Sequence, residues 1–207
     1  MLISTGLTKV ICTATVEEKT PNFLAGSGKG WITAEYSMLP GSTSPRVSRD
    51  NQRKGRSQEI SRLIGRSLRA SINLQELGEI TITIDCDVIQ ADGGTRTASI
   101  TGGFVALSLA VKQMLDSGSL NALPTITPIA ATSVGIFGDK VLVDLCYEED
   151  SKADADFNMV MASDGGIVEI QGSAEGNRFS RKLVDQVLDA GVDAISKLFE
   201  LQYKALE

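Results

Sequence analysis

The sequence predicts a mixed fold of the α/β or α+β class, and three observations predict it. Strand-like and helix-like hydrophobic periods alternate along the chain. One segment, Glu79–Gln90, alternates strictly, with Ile80, Ile82, Ile84, Cys86 and Val88 on one side and Thr81, Thr83, Asp85 and Asp87 on the other. The 207 residues, 42% hydrophobic and 22% charged, suffice for one sizeable core or at most two small ones.

In order, residues 1–6 read as the end of a strand running into a turn. Lys9–Glu17 and Gly30–Leu39 are rich in β-branched and aromatic residues and flank a Gly-rich turn, which predicts two strands. Pro40–Gly55 is a predicted loop of Pro, Gly, Ser, Asp and Asn that also carries Arg46, Arg49, Arg53 and Lys54. From Ser57 to about Ser71, Ile60, Leu63, Ile64 and Leu68 recur at helical spacing, with Arg62, Arg66 and Arg69 along a neighbouring face. The strand Glu79–Gln90 follows, then Ala91-Asp92-Gly93-Gly94, then a buried helix over Thr95–Met114 marked by Ile100, Phe104, Leu107 and Val111. Beyond a linker with Pro124 and Pro128, strands are predicted at Ala130–Phe137, Lys140–Tyr147, Asn158–Ala162 and Ile167–Gln171, with turn signals at Gly138-Asp139 and Asp164-Gly165-Gly166. Arg181 to Ala205 is an amphipathic C-terminal helix. There is no fixed-period repeat, so the chain reads as a single domain over residues 1–207.

Composition excludes whole classes of chemistry. With no histidine, there is no Ser-His-Asp or Cys-His nucleophile, no His-ligated zinc and no imidazole acid or base. Cys12, Cys86 and Cys146 are far apart in apolar, β-rich runs and form no CxxC, so they read as buried small hydrophobes in a reducing compartment. No signal-type segment and no uninterrupted 18-residue apolar run is present, so the expectation is a soluble cytoplasmic protein without a membrane partner.

Charge is segregated. The formal net charge of −6 argues against nucleic acid at first sight. Between Arg46 and Arg69, however, stand seven Arg and one Lys against Asp50 and Glu59, a local balance of +6 that leaves −12 for the rest. A stripe holding seven of the ten arginines is the footprint expected for an RNA backbone, although charge runs are more often solvated or salt-bridged surface.

A second feature is the strand–turn–helix junction around Gly93-Gly94-Thr95-Arg96. Paired glycines let backbone approach a ligand, the helix start offers unpaired N–H groups, and Arg96 adds a bidentate donor, a combination suited to an anion. Neither the P-loop nor the GxGxxG spacing is present, so a nucleoside triphosphate or NAD is not indicated. The third feature is acidic: Asp144, Glu148, Glu149, Asp150, Asp154 and Asp156 face only Lys152. Such carboxylates sit in an exposed acidic turn or bind a hard divalent cation, Mg²⁺ or Mn²⁺, and the apolar run that follows favours a cleft and the metal. An anion cradle, an arginine track and a metal-binding carboxylate pair together point to phosphoryl transfer on a polynucleotide. Inorganic phosphate as the nucleophile would arrive already ionised, which removes the need for histidine.

At these residues the sequence resembles the ribonuclease PH family of phosphate-dependent exoribonucleases, related to polynucleotide phosphorylase and the exosome ring. The resemblance covers nearly the whole chain. It includes Gly30-Trp31-Ile32-Thr33-Ala34-Glu35-Tyr36-Ser37-Met38-Leu39-Pro40, Gly55-Arg56-Ser57-Gln58-Glu59-Ile60, and the highly specific Gln90-Ala91-Asp92-Gly93-Gly94-Thr95-Arg96-Thr97-Ala98. It continues through Glu149-Asp150-Ser151, Asp156-Phe157-Asn158 and Gln171-Gly172-Ser173-Ala174-Glu175-Gly176. The resemblance implies an α+β fold of mixed sheets with packed helices, built on a βαβ domain shared with a ribosomal protein and assembled as a hexameric trimer of dimers. It implies that Arg56, Gly94, Thr95 and Arg96 bind the attacking phosphate, and that Asp150 and Asp156 are the metal-binding and acid-catalytic carboxylates. It places Arg46, Arg49 and Arg53 on an RNA-facing or ring-facing surface, with Arg62, Arg66 and Arg69 continuing the RNA track. The implied activity is 3′→5′ phosphorolytic trimming of tRNA and other RNA 3′ ends with release of nucleoside diphosphates. The alternative is a non-catalytic RNA-binding ring subunit or an inactive truncated copy. In the family pattern an Arg-Pro-Asp-Gly-Arg type element and a leading strand precede the segment matching Leu2-Ile3-Ser4, and this sequence begins after them, which is expected to expose a strand edge.

Overall fold

The computed structural model describes residues 1–49, 55–174 and 178–207. Two four-stranded sheets enclose one helix. The first contains β1 (Leu2–Thr5), β2 (Thr8–Glu17), β3 (Trp31–Met38) and β4 (Thr81–Gln90) in the order β1-β2-β4-β3. Only β3 and β4 run parallel, as a crossover through α1 (Gly55–Arg69) and the short α2 (Leu74–Leu77) requires. The second contains β5 (Ile129–Phe137), β6 (Lys140–Val143), β7 (Ala155–Ala162) and β8 (Ile167–Ala174), antiparallel throughout in the order β6-β5-β7-β8. This is the expected mixed α+β arrangement.

Between the sheets lies α3 (Thr95–Asp116), which packs on β2 and β4 on one side and β5 on the other. Burial on both sides explains its composition: Thr97 through Leu107 are all buried, with no polar face among them. It is apolar and long enough to cross a membrane by those measures, yet here it is the core helix. Gly102 and Gly103 let it sit directly on β1, β2 and β4, since a Cβ on Gly102 would stand 2.8 Å from the Ile3 side chain. The main core joins residues of both sheets, from Val10 and Ile84 to Ile129 and Val160. The C-terminal helix α5 (Arg181–Leu206) covers the second sheet with Val187, Ile195 and Phe199, and Ser180 caps its start.

Three local expectations change. The strand expected over Lys140–Tyr147 stops at Val143, because Asp144 turns left-handed at φ +59. Ser133 fixes that turn: its carbonyl accepts from the Asp144 N–H and its hydroxyl from the Leu145 N–H. Tyr147 then opens a single helical turn, α4 (Tyr147–Asp150). Cys146, expected to be buried, is half-exposed at the start of that turn, whereas Cys12 and Cys86 are buried opposite one another on β2 and β4. The strands expected at Asn158–Ala162 and Ile167–Gln171 are longer, running from Ala155 and to Ala174.

Candidate active site

The alternating pattern of β4 buries Ile82, Ile84, Cys86 and Val88 against α3 and carries the chain to the sheet end, where Ala91-Asp92-Gly93-Gly94 turns it into α3. Both glycines have positive φ, +76 and +57. At Gly93 no side chain fits, for a Cβ would stand 2.1 Å from the Leu145 carbonyl oxygen. The glycine pair therefore lets a loop of the first sheet lie against the Leu145–Cys146 backbone of the second.

A cavity of about 660 Å³ opens at this meeting point. Arg56 enters it from the first turn of α1, Gly94, Thr95 and Arg96 from the start of α3, Asp150 from α4 and Asp156 from β7. All six residues predicted to handle phosphate and metal thus line one space, although they span 100 positions of sequence. Asp92 ties its two halves together, because its Oδ1 accepts the Tyr147 N–H at 3.2 Å and so holds the turn that carries Asp150.

Arg96 is oriented from two sides, its Nη1 lying 3.5 Å from Glu59 Oε1 and 3.5 Å from Gln171 Oε1. Thr95 shares a 2.8 Å hydrogen bond with the buried Tyr36 hydroxyl. Burial pushes the Tyr36 phenol up, against the hydrogen bond from Thr95 and the charges of Arg56 and Arg96. It stays neutral at physiological pH and can fix the Thr95 hydroxyl. Tyr36, Ser133, Tyr147 and Asn158 join the site beyond the residues the sequence singles out, although Tyr36 and Asn158 stand in the segments that carry the family resemblance. Period-two alternation would have put Tyr36 on the core face of β3, but not its hydroxyl on Thr95.

The acidic cluster does not act as a unit. Asp154 caps the Gly138 N–H, and Glu149 accepts from the Cys146 N–H. Asp144 lies beside the second sheet's edge, its carboxyl pushed up by burial and then by Glu149. Among the described residues no group of three metal-binding side chains occurs. Asp150 and Asp156 remain as a pair on one cavity, a donor set of the kind Mg²⁺ accepts when substrate phosphate and water complete its shell.

The arginine stripe divides. Arg62, Arg66 and Arg69 line a separate groove of about 820 Å³ between α1 and β3. Arg66 makes a two-pronged pair with Glu169 of β8, and Arg69 lies 4.2 Å over the Trp31 ring while donating to the Ile32 carbonyl. Burial lowers Arg69 and its neighbour Arg66 lowers it further. Arg46 and Arg49 are exposed in the loop after β3, and Arg53 lies outside the described residues, as do Glu175 and Gly176.

Models of the 3′ exoribonuclease family match the chain twice, its domain 1 over residues 1–113 and its domain 2 over residues 127–194. A protein named ribonuclease PH from Dehalococcoides mccartyi (strain CBDB1) is 54% identical over 205 residues, 98% of this chain and 85% of the relative. Another, from Crocosphaera subtropica, is 53% identical over 207 residues, 100% of this chain and 86% of the relative. An Archaeoglobus fulgidus exosome structure with RNA bound to the active site has the same fold at TM-score 0.78 and 23% identity, covering 96% of this chain and 81% of that one. An archaeal exosome core matches at TM-score 0.74 and 22% identity over 100% of this chain and 80% of that one.

Proposed function

Since the chain belongs to the 3′ exoribonuclease family, in company with proteins named ribonuclease PH, we propose that its cavity is where phosphate attacks the RNA 3′ end. The protein is a phosphate-dependent 3′→5′ exoribonuclease that processes tRNA. One observation carries the site reading: two arginines, a helix start with a glycine pair, and two carboxylates converge on one cavity.

Phosphate needs little activation, so positioning and charge stabilisation carry the catalysis. Arg56, Arg96 and the N–H groups at the start of α3 hold the dianion, and Thr95, fixed by Tyr36, orients one of its oxygens. A phosphate oxygen attacks the terminal phosphodiester; the bond to the preceding 3′ oxygen breaks, and a nucleoside diphosphate leaves. The proton needed by the departing 3′ oxygen comes from a carboxyl at Asp150 or Asp156, the acids that line the cavity. The ionised carboxylate of this pair, Asp150 or Asp156, would hold Mg²⁺ or Mn²⁺, which when bound would neutralise charge developing on the transferred phosphoryl group.

The groove of Arg62, Arg66 and Arg69, with Arg46 and Arg49 in the neighbouring loop, is the RNA track, and six copies in a cytoplasmic trimer of dimers would gather several such tracks around tRNA. The decisive experiment incubates the protein with 3′-extended tRNA with and without phosphate. Nucleoside diphosphates formed only with phosphate are expected; monophosphates, or a rate indifferent to phosphate, would refute the reading. The particle mass in solution tests the ring.

A further inference from the structure

Thr8 stands 85 positions before Gly93 and outside the cavity, yet its side chain is the partner of the phosphate loop's backbone. It opens β2 and is 1% exposed. Its hydroxyl accepts the Asp92 N–H at 2.8 Å and donates to the Gly93 carbonyl at 2.6 Å, so both hydrogen-bonding roles of one buried hydroxyl are used on two consecutive loop residues.

Peptide geometry gives the bond to Gly93 a functional consequence. In a trans peptide the carbonyl oxygen and the following N–H point in opposite directions within one plane. Fixing the Gly93 carbonyl on Thr8 therefore turns the Gly94 N–H away from Thr8, and Gly93, Gly94 and Thr95 line the cavity whereas Thr8 does not. The Gly94 N–H meets no acceptor among the described residues. Glycine at 93 and 94 makes this plane easy to rotate, since either residue tolerates both signs of φ. Without an anchor, a flip would put a carbonyl where the anion needs a donor.

We propose that Thr8 is a positioning residue for phosphate: its hydroxyl locks the peptide between Gly93 and Gly94 so that the Gly94 N–H faces the nucleophile. This rests on the reading of the cavity as the phosphate site. Thr8 touches no substrate and acts only through the loop.

The test is phosphorolysis of 3′-extended tRNA by the full chain, with KM for phosphate, kcat, tRNA affinity and Tm measured together. Thr8→Val keeps the side chain's shape and removes the hydroxyl. The phosphate KM is expected to rise about tenfold or more, as for loss of one well-placed donor to a charged ligand, with kcat at saturating phosphate and tRNA affinity within about twofold of wild type. Thr8→Ser restores the wild-type KM. An unchanged phosphate KM in Thr8→Val overturns the proposal. So does a loss shared by tRNA affinity and Tm that Thr8→Ser does not repair, which is the signature of a purely structural role. If Thr8→Val does not fold, Thr8→Cys, with a weaker donor of similar size, decides on the same criterion. Arg96→Gln is measured alongside. If it too leaves the phosphate KM unchanged, the phosphate site itself is misplaced; if it raises KM while Thr8→Val does not, only the role of Thr8 falls.

Discussion

Gly93→Ala puts a methyl group where the structure has no room for one. The new Cβ would stand 2.1 Å from the Leu145 oxygen and 2.9 Å from the Cys146 carbonyl carbon, both backbone atoms that cannot swing aside as a side chain can. Restoring an ordinary contact requires the two loops to part by at least about 1.3 Å. The displaced backbone runs directly into the turn that carries Asp150, so the error is passed to a reacting group. A misplacement of about 1 Å costs roughly 100-fold in turnover, and the left-handed φ of +76 adds roughly 1–2 kcal/mol of strain for a residue with a Cβ. Release of nucleoside diphosphate at saturating phosphate and tRNA is therefore expected to fall about 100-fold, with Tm down by several degrees. Gly118→Ala supplies the comparison: φ is +78 there and nothing lies within 4 Å, so the strain is present and the clash is not. It should lower Tm by less than Gly93→Ala does and leave turnover alone. A Gly93→Ala protein with turnover within about threefold of wild type would refute the argument that this glycine sets the distance between the two halves of the site.

The cavity reading predicts that Asp156→Asn loses phosphorolysis by at least 100-fold while still binding tRNA in a filter or anisotropy assay; equal loss of both would argue for a structural carboxylate. Asp144→Asn should raise Tm at pH 7. The native Asp144 carboxyl is pushed up by burial and by Glu149, so its ionisation costs stability above the unfolded pKa, and that cost vanishes as pH falls through the raised value toward about pH 3.9. Asn accepts the left-handed backbone, and a gain that is the same at pH 4 and pH 7 would contradict the sign. Arg62→Ala should weaken tRNA binding and reduce the slope of log affinity against log salt by about 1, without altering Tm. Arg66→Ala should in addition cost up to about 1 kcal/mol of stability, less at high salt, because it strips Glu169 of its ion pair. Equal effects of the two variants on Tm would dissolve that distinction.

The sequence by itself determined the parts whose information is local. The strict alternation in β4 follows from one buried face, the apolar run of α3 from burial between two sheets, and the glycine pair from a turn that needs positive φ. Six residues of the cavity were legible too, through the family resemblance carried by the run from Gln90 to Ala98 and by the segments holding Arg56, Asp150 and Asp156, whereas Ser133 and Tyr147 were not. What they do together was not: Arg56, Arg96 and Asp156 face one another only because α3 lies between two sheets whose loops meet at its N-terminus. The same long-range packing divides look-alike charges. Of six neighbouring carboxylates it sends two to the cavity and uses Asp154 and Glu149 as caps, and of three helix arginines it gives Arg66 to Glu169 and Arg69 to Trp31. Thr8 is the clearest instance, a residue just outside the strand expected over Lys9–Glu17 whose hydroxyl holds a loop 85 positions away. Hydrophobic period is a property of neighbouring residues and survives in the sequence, whereas the partner of a polar group is chosen by chain segments that meet only in the folded protein.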